Sequence, residues 1–494
     1  LSTAKKFAGQ TAIYGISTVV SKVLSFILTP IYTKAYVPKV YGIFTTMFSW
    51  VSILNPLLAF GMETTFFRYL NKTEDKKQEV YDNAFATVLT LSLVFLLFAI
   101  PFAGNIATGI SIGNSNTHAD YMLYVRYFIA VLVLDGIAVI PFAKMRADGR
   151  PGRYGILKFI NVAIFVSCNL TFIYIFPFII RHHYWGAAFI SSWFRPGWVG
   201  YVFLSNFISS ALTLLMVLPE LLTFKFKFNW VLLKQMMMYS WPIMVANISY
   251  SLNENVDKLL LGKLLAPKES DTAVGIYSGC AKISLFLSIF VQAFRLGAEP
   301  FFFSHSKNKN AGQTYARIMD YFVIAVCVIF VALIANIELL KYFVNNHDYW
   351  VGLGVVPPLV FGYVSLGIYM NLSVWYRLSD QTRYGLYISG IGAVLTVVLN
   401  VIFIPTYSYM ASAWISLAAY ASMMVLSYIW GQKNYPIPYN IKKNLAYIVA
   451  SIILVYISFT IFNRNIFVGN GLLLLFAGTA LYLERKSLLA ILKG

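Results

Sequence analysis

Runs of about 20 apolar residues follow one another along almost the whole chain, and about 20 residues is what a helix needs to cross the hydrocarbon of a bilayer. In that solvent every backbone N–H and C=O must find its partner inside the protein, so such runs read as membrane-spanning helices. Composition agrees: of 494 residues, 59% are hydrophobic and 12% charged, against about 25% charged in a soluble domain. The expected fold is an all-α polytopic membrane protein. Fourteen segments fit a membrane window, at roughly 8–31, 41–66, 84–104, 120–142, 155–178, 198–219, 237–262, 274–300, 317–340, 352–375, 385–405, 409–430, 444–462 and 466–483. Pro56, Pro101, Pro242 and Pro357-Pro358 fall inside these spans, where neighbouring helices can re-satisfy the freed backbone groups.

The chain carries 38 Lys+Arg against 19 Asp+Glu, a net charge of +19. In a soluble protein that balance would suggest nucleic acid; here most of the basic residues sit in short loops. The N-terminus, the loops after even-numbered spans and the C-terminus together hold 25 of them, and the opposite set of loops holds 8. The positive-inside bias therefore places both termini in the cytoplasm and removes nucleic acid as a partner. Cys168, Cys280 and Cys327 lie far apart in apolar segments, which suits neither a disulfide framework nor a metal cluster. Lys5-Lys6 precedes an apolar run with no small-residue cleavage site after it, so that run is expected to stay as the first helix.

Three pairs of segments repeat about 230 residues apart. Lys34-Ala-Tyr-Val-Pro38-Lys39 matches Lys263-Leu-Leu-Ala-Pro267-Lys268, and Gly61-Met-Glu63 with Phe66-Phe67 matches Gly297-Ala-Glu299 with Phe302-Phe303. Arg153-Tyr154-Gly155 matches Arg383-Tyr384-Gly385, and the spans that follow close alike on Asn169 and Pro177, and on Asn400 and Pro405. A six-helix unit repeated in the same sense gives parallel lobes, an arrangement suited to rocking around a central cavity. The expected organisation is an N-lobe over 1–222, a C-lobe over 223–432 and an appended helix pair over 433–494.

Lys6-Phe-Ala-Gly9-Gln10-Thr11-Ala-Ile-Tyr14-Gly15, then Pro30, Tyr41-Gly42, Gly61-Met-Glu63, Phe67-Arg68 and Glu299-Pro300-Phe301 are similar to segments of the polysaccharide-transport branch of the multidrug/oligosaccharidyl-lipid/polysaccharide exporter superfamily. With fourteen spans, the chain resembles the O-antigen and capsule flippases of that branch. The resemblance implies two parallel six-helix lobes like those of the superfamily's drug exporters, plus two C-terminal helices. It also implies movement of an undecaprenyl-diphosphate-linked oligosaccharide from the cytoplasmic to the outer leaflet of a bacterial inner membrane. On that reading the chain is not an enzyme and needs no cofactor. A gradient of H+ or Na+ would drive it, and its partners would be the lipid-linked oligosaccharide, membrane lipids, the polymerase and other assembly proteins.

Ionisable residues inside spans are costly and tend to face water-filled pathways. Lys22, Arg126, Lys282 and Arg295 are the candidate cations for a diphosphate, Arg as a bidentate fork and Lys as a point charge. Glu63, Asp135, Glu254, Asp257, Lys258 and Glu299 are the candidate coupling or gate residues. Asn247, Ser251, Glu254 and Lys258 step along the seventh span by four, three and four, one helical stripe. Glu254 and Lys258 could equally satisfy each other as an i,i+4 pair. Glu63 and Glu299 stand near cytoplasmic ends, where cations such as Arg68 or Arg295 could meet them.

No Gly-x-x-x-x-Gly-Lys-Ser/Thr loop is present, which argues against ATP hydrolysis by this chain. The basic loop at 146–153 follows the fourth span, whereas the major facilitator pattern would place it after the second. A glycosyltransferase or polymerase would need an extramembrane catalytic loop longer than the roughly 20 residues available here. An ion-coupled drug antiporter of the same superfamily is the alternative transporter, although a central set of charges that is mixed with a basic excess suits a cationic drug poorly. A lipid II flippase is the nearest cousin.

Overall fold

The computed structural model describes residues 26–72, 74–110, 117–305, 310–379 and 381–493. Among these residues every regular element is helical, which is how a chain without water as a hydrogen-bond partner satisfies its backbone. Ten described helices are long and apolar enough to cross a membrane by length and composition. Each expected segment from the second to the fourteenth falls on a helix; residues 8–25, most of the first, lie outside the described residues.

The chain divides into two compact units between Gly275 and Ile276. The first contains a helix over 26–35 (α1), α2 (Pro38–Ala59), α3 (Met62–Lys72), α4 (Lys77–Ala99), α5 (Ala103–Ile110) and α6 (His118–Ala147). It continues with α7 (Pro151–Leu170), α8 (Phe176–Arg181), α9 (Ala187–Ser191), α10 (Gly200–Met216), α11 (Leu218–Leu221) and α12 (Trp230–Leu264). The long α13 (Pro267–His305) begins in the first unit and runs into the second. There it is followed by α14 (Ala311–Ala335), α15 (Ile337–Leu340), α16 (Val356–Leu372), α17 (Val374–Leu378), α18 (Arg383–Asn434), α19 (Ile441–Tyr456) and α20 (Ile466–Lys493).

In the first unit α6 is the hub, packed by α2, α4, α7 and α10. Its apolar window is 67% buried, whereas that of α7–α8 is only 6% buried; the first is core and the second lies at the periphery of the unit. In the second unit α16 packs against α14 and α18. The appended α19 and α20 both lean on α14, and only 22% and 17% of their apolar windows are buried. Asn336 and Asn470 exchange amide hydrogen bonds of 3.1 and 3.0 Å between α14 and α20. Lys443 joins the same three helices, 2.8 Å from Glu484 and 3.6 Å from Asp320.

Proline and glycine set the punctuation. Pro38 sits at the start of α2 and its repeat mate Pro267 opens α13, where a missing N–H costs nothing and φ is preset. The second span is bent: Phe60 and Gly61 take left-handed φ values of 49° and 65° between α2 and α3. A Cβ on Gly61 would stand 2.8 Å from the Ser240 carbonyl of α12, so glycine is needed there for space as well as conformation. The 52-residue α18 is two spans in sequence, broken at Ser408 with φ 50° and ψ −142°. The sequence repeat also recurs in local detail. Asn169 and Asn400 each donate their amide to the carbonyl four residues back, at 2.7 Å.

The tightest crossing in the first unit is between the starts of α2 and α13. A Cβ on Gly42 would collide with the Asp271 carbonyl, and one on Gly275 with the Pro38 carbonyl. Both obstacles are backbone, so neither can swing aside. Gly275→Val should therefore cost at least the ~1–3 kcal/mol typical of overpacking and lower the folded yield on fluorescence-detected size-exclusion chromatography. Gly390→Ala, which meets open space, is the control and should leave the yield unchanged.

Candidate functional site

Two helix ends and a linker build a polar cluster in the first unit. Glu63 on α3 forms an ion pair with Arg146 at the end of α6, and that guanidinium lies over the rings of Phe67 and Tyr154 at 4.9 and 5.6 Å. Arg68, the cation nearest in sequence, instead covers the Tyr239 ring at 4.2 Å. The reason is helical geometry: five residues at about 100° each turn Arg68 roughly 140° around α3 from Glu63. Beside this pair, Arg153 reaches the buried Glu220 at 3.0 Å. Lys144 donates to the Thr223 hydroxyl at 2.6 Å while lying 4.3 Å over the Tyr81 ring.

The same cluster holds the connection between α11 and α12. Asp82, 0% exposed, accepts the backbone N–H of Lys225 at 3.2 Å, that of Lys227 at 2.9 Å and the Gln78 amide at 2.7 Å. Asn83 and Asn229 exchange two side-chain-to-backbone bonds of 3.1 and 3.3 Å. Asn229 also caps α12 through the Leu232 N–H. None of Asp82, Asn83, Glu220 or Asn229 was singled out from sequence. The available signal was spacing: Gln78 with Asp82, and Glu79 with Asn83, stand four apart and so mark one polar face entering an apolar span.

Deeper in the membrane-spanning region, Arg126 of α6 is exposed and makes no ion pair with any described residue. Asp135, two and a half turns further along α6, neighbours Ser210 of α10 and Lys158 of α7. Lys158 lies 4.2 Å over the Phe142 ring. On α12 the polar stripe resolves differently from a simple i,i+4 pair. Tyr250 donates to the Glu254 carboxylate at 2.8 Å, whereas Lys258 binds Asp257 at 3.1 Å and the Glu254 backbone carbonyl at 2.7 Å. Asn255 ties this helix to Ser52 of α2 at 3.0 Å. Asn169 leaves its Oδ1 buried without a donor among the described residues, whereas its repeat mate Asn400 receives the Ser412 hydroxyl at 2.7 Å.

In the second unit, Arg295 of α13 lines a narrow pocket with Phe294, Phe302, Phe322, Met370 and Asn371. Lys282 is half-buried between three and four turns earlier on the same helix. Lys22 and the side chain of Glu299 lie outside those described. The structure thus groups Asp257 with Lys258 and Glu254 with Tyr250. Glu63 is in a separate cluster, and Arg126 and Asp135 stand apart on α6. Among the described residues no three His, Cys, Asp or Glu side chains gather where a metal ion could sit.

A family model described as a polysaccharide biosynthesis protein matches residues 7–298. The chain belongs to that family. A second model, described as MatE, matches residues 242–402, and together they place this family member in the multidrug/oligosaccharidyl-lipid/polysaccharide exporter superfamily. No curated protein matches the sequence. Among solved structures, the chain is similar to the lipid II flippase MurJ in an inward closed conformation. That match has a TM-score of 0.73 and 13% identity, covering 97% of this chain and 100% of that one. It is also similar to an inward-facing multidrug resistance MATE family transporter of the superfamily, with a TM-score of 0.63, 13% identity and coverage of 86% and 94%. An outward-facing MATE transporter gives a TM-score of 0.60, 13% identity and coverage of 87% and 95%. At these identities the likeness is one of fold: this family member is a multi-pass helical membrane protein with the flippase and transporter fold of the superfamily.

Proposed function

We propose that the protein moves a lipid-linked oligosaccharide, of the undecaprenyl-diphosphate type, from the cytoplasmic to the outer leaflet of a bacterial inner membrane by alternating access. O-antigen, capsule or exopolysaccharide assembly is the process served, and the chain performs no chemical transformation of its cargo. The observation that carries this reading is the match of residues 7–298 to the polysaccharide biosynthesis family. Arg126 supports it, as an exposed guanidinium without a carboxylate partner among the described residues, on a helix otherwise apolar enough to span the membrane. A fixed cation in such a place is costly unless it meets an anion for part of the cycle, and a guanidinium fork matches phosphoryl oxygens. Arg295 in the second unit and Lys22 and Lys282 are the further cations we assign to the diphosphate.

The energy source we assign is an H+ or Na+ gradient, with Asp135, Glu254, Asp257 and Lys258 as coupling groups and Glu63 and Glu299 as gate groups. The decisive experiment is complementation of a strain lacking its own flippase, using a panel of repeat units. Restored surface polysaccharide with one repeat unit supports the reading. Drug resistance without any restoration would favour the antiporter alternative, for which the match of residues 242–402 to MatE speaks. Rescue of a lipid II flippase mutant alone would name the cousin instead.

Orientation is tested separately. The loop asymmetry of 25 basic residues against 8 leads us to expect cytoplasmic signals from reporter fusions at residue 150 and at the C-terminus. An outer-side signal at either position would overturn this topology.

A further inference from the structure

The connection between α11 and α12 reads Phe224-Lys225-Phe226-Lys227-Phe228-Asn229-Trp230, rings and lysines in strict alternation up to the asparagine. It lies at the end of the first unit where α10 finishes and α12 begins, and so at the boundary of the membrane-spanning region. Its backbone is held from behind. The carboxylate of Asp82 binds the N–H groups of Lys225 and Lys227, Gln78 donates to the Thr223 carbonyl at 3.0 Å, and Phe224 packs edge-on against Phe85 at 5.1 Å. Phe226 is kept at a φ of 53°, a conformation a bulky residue adopts only where its surroundings impose it.

What this clamp presents outward is apolar and basic together. Phe226 is 71% exposed, Phe228 47% and Trp230 76%, and the side chains of Lys225 and Lys227 are exposed with no ion pair to any described residue. With Glu79, Asn229 and Val231, the rings of Phe226, Phe228 and Trp230 and the Lys227 side chain line one open concavity. Neither local carboxylate forms an ion pair with these lysines: Asp82 takes up their backbone N–H groups, and Glu79 accepts the Asn229 amide at 2.8 Å. A peptide surface of this kind suits the boundary between headgroups and acyl chains, where rings enter the apolar side and lysines meet phosphate.

We propose that residues 224–231 form a binding site for the headgroup of an anionic phospholipid of the surrounding bilayer. Lys225 and Lys227 hold its phosphate, and Phe226, Phe228 and Trp230 are seated beside its glycerol backbone. The backbone clamp fixes the connection from which the two lysines project before lipid arrives, which limits the ordering cost of binding. The site is independent of the transported cargo and does not rest on the proposed transport activity.

The test is native mass spectrometry of the full chain released from bilayers of equal phosphatidylglycerol and phosphatidylcholine. Wild-type protein should retain phosphatidylglycerol in preference. Each lysine near such a surface is worth about fivefold in affinity, so Lys225→Ala with Lys227→Ala should reduce the preference by about 25-fold. Both side chains are exposed, so the thermal midpoint of this variant should be unchanged. Phe226→Ser with Trp230→Ser should weaken retention of both lipids and leave their ratio intact. An unchanged phosphatidylglycerol preference in the lysine variant overturns the proposal. So does displacement of the lipid by millimolar inorganic phosphate, which would make the site one for soluble phosphate. A dimer lost on ring substitution would overturn it too, because a second copy would then be the occupant.

Discussion

Arg126→Ala should abolish export while leaving the protein inserted and folded. The side chain is exposed, it is unpaired among the described residues, and its neighbours Val125, Phe128 and Ile129 carry the packing of α6. Removing it therefore opens no cavity and orphans no carboxylate, so stability should change within about 0.5 kcal/mol, as for a surface substitution. Loss of a fork that grips a diphosphate is a different matter. A charge-assisted hydrogen bond contributes about 1.5–3 kcal/mol, and two parallel bonds would account for a drop in rate of two orders of magnitude or more. Arg126→Lys should recover part of the activity, because the charge returns without the fork. The measurement is surface polysaccharide in the complemented strain, normalised to protein in the membrane fraction. Full export by the alanine variant would remove Arg126 from the transport pathway, and disappearance of the protein would assign it a structural role.

Asp82→Ala should release the connection that leads into α12. In the folded chain this buried carboxylate is the acceptor for two backbone N–H groups and one side-chain amide. Hydrogen bonds to a charged acceptor contribute about 1.5–3 kcal/mol each, and these are part-buried, so the lower bound applies to the two backbone bonds. The loss is then about 3 kcal/mol, a large share of the 5–15 kcal/mol that holds a typical domain together. Two observables follow. The thermal midpoint should fall, and trypsin should cut after Lys225 and Lys227 much faster than in the wild type, because a protease needs those residues free of their backbone partners. Asp82→Asn keeps one acceptor oxygen and should fall between the two. Unchanged cleavage in the alanine variant would show that the connection is held elsewhere.

Much of this architecture is legible from the chain alone because the bilayer imposes so few solutions. A run such as 120–142 can only be a helix, and α6 covers it. The breaks are legible for the same reason. Pro38 and Pro267 both announce helix starts, and the short gap expected between 405 and 409 is where Ser408 turns the backbone. The family, too, was within reach of short segments around Gly9, Gly61 and Glu299, because backbone punctuation and intramembrane charge vary less freely than lipid-facing residues.

The partnerships of charged side chains were not legible in this way. From sequence, Glu63 had Arg68 and Arg295 as plausible cations and Glu254 had Lys258; in the structure Glu63 meets Arg146, from 83 residues away, and Glu254 receives Tyr250. Asp82 was not singled out from sequence, and its partners come from residues 143 and 145 positions later.

What the sequence by itself determined is the helical, membrane-spanning class of the protein, the positions of its segments and breaks, and the family to which it belongs. All of these depend on periodicity, composition and local steric limits, which act within a few turns of chain. What only the tertiary structure decided is which ion pairs close, which polar groups stay buried and unmet, and which face of the α11–α12 connection is turned outward. Those depend on how far each helix is rotated about its own axis, and a rotation of one residue, about 100°, is enough to exchange one partner for another.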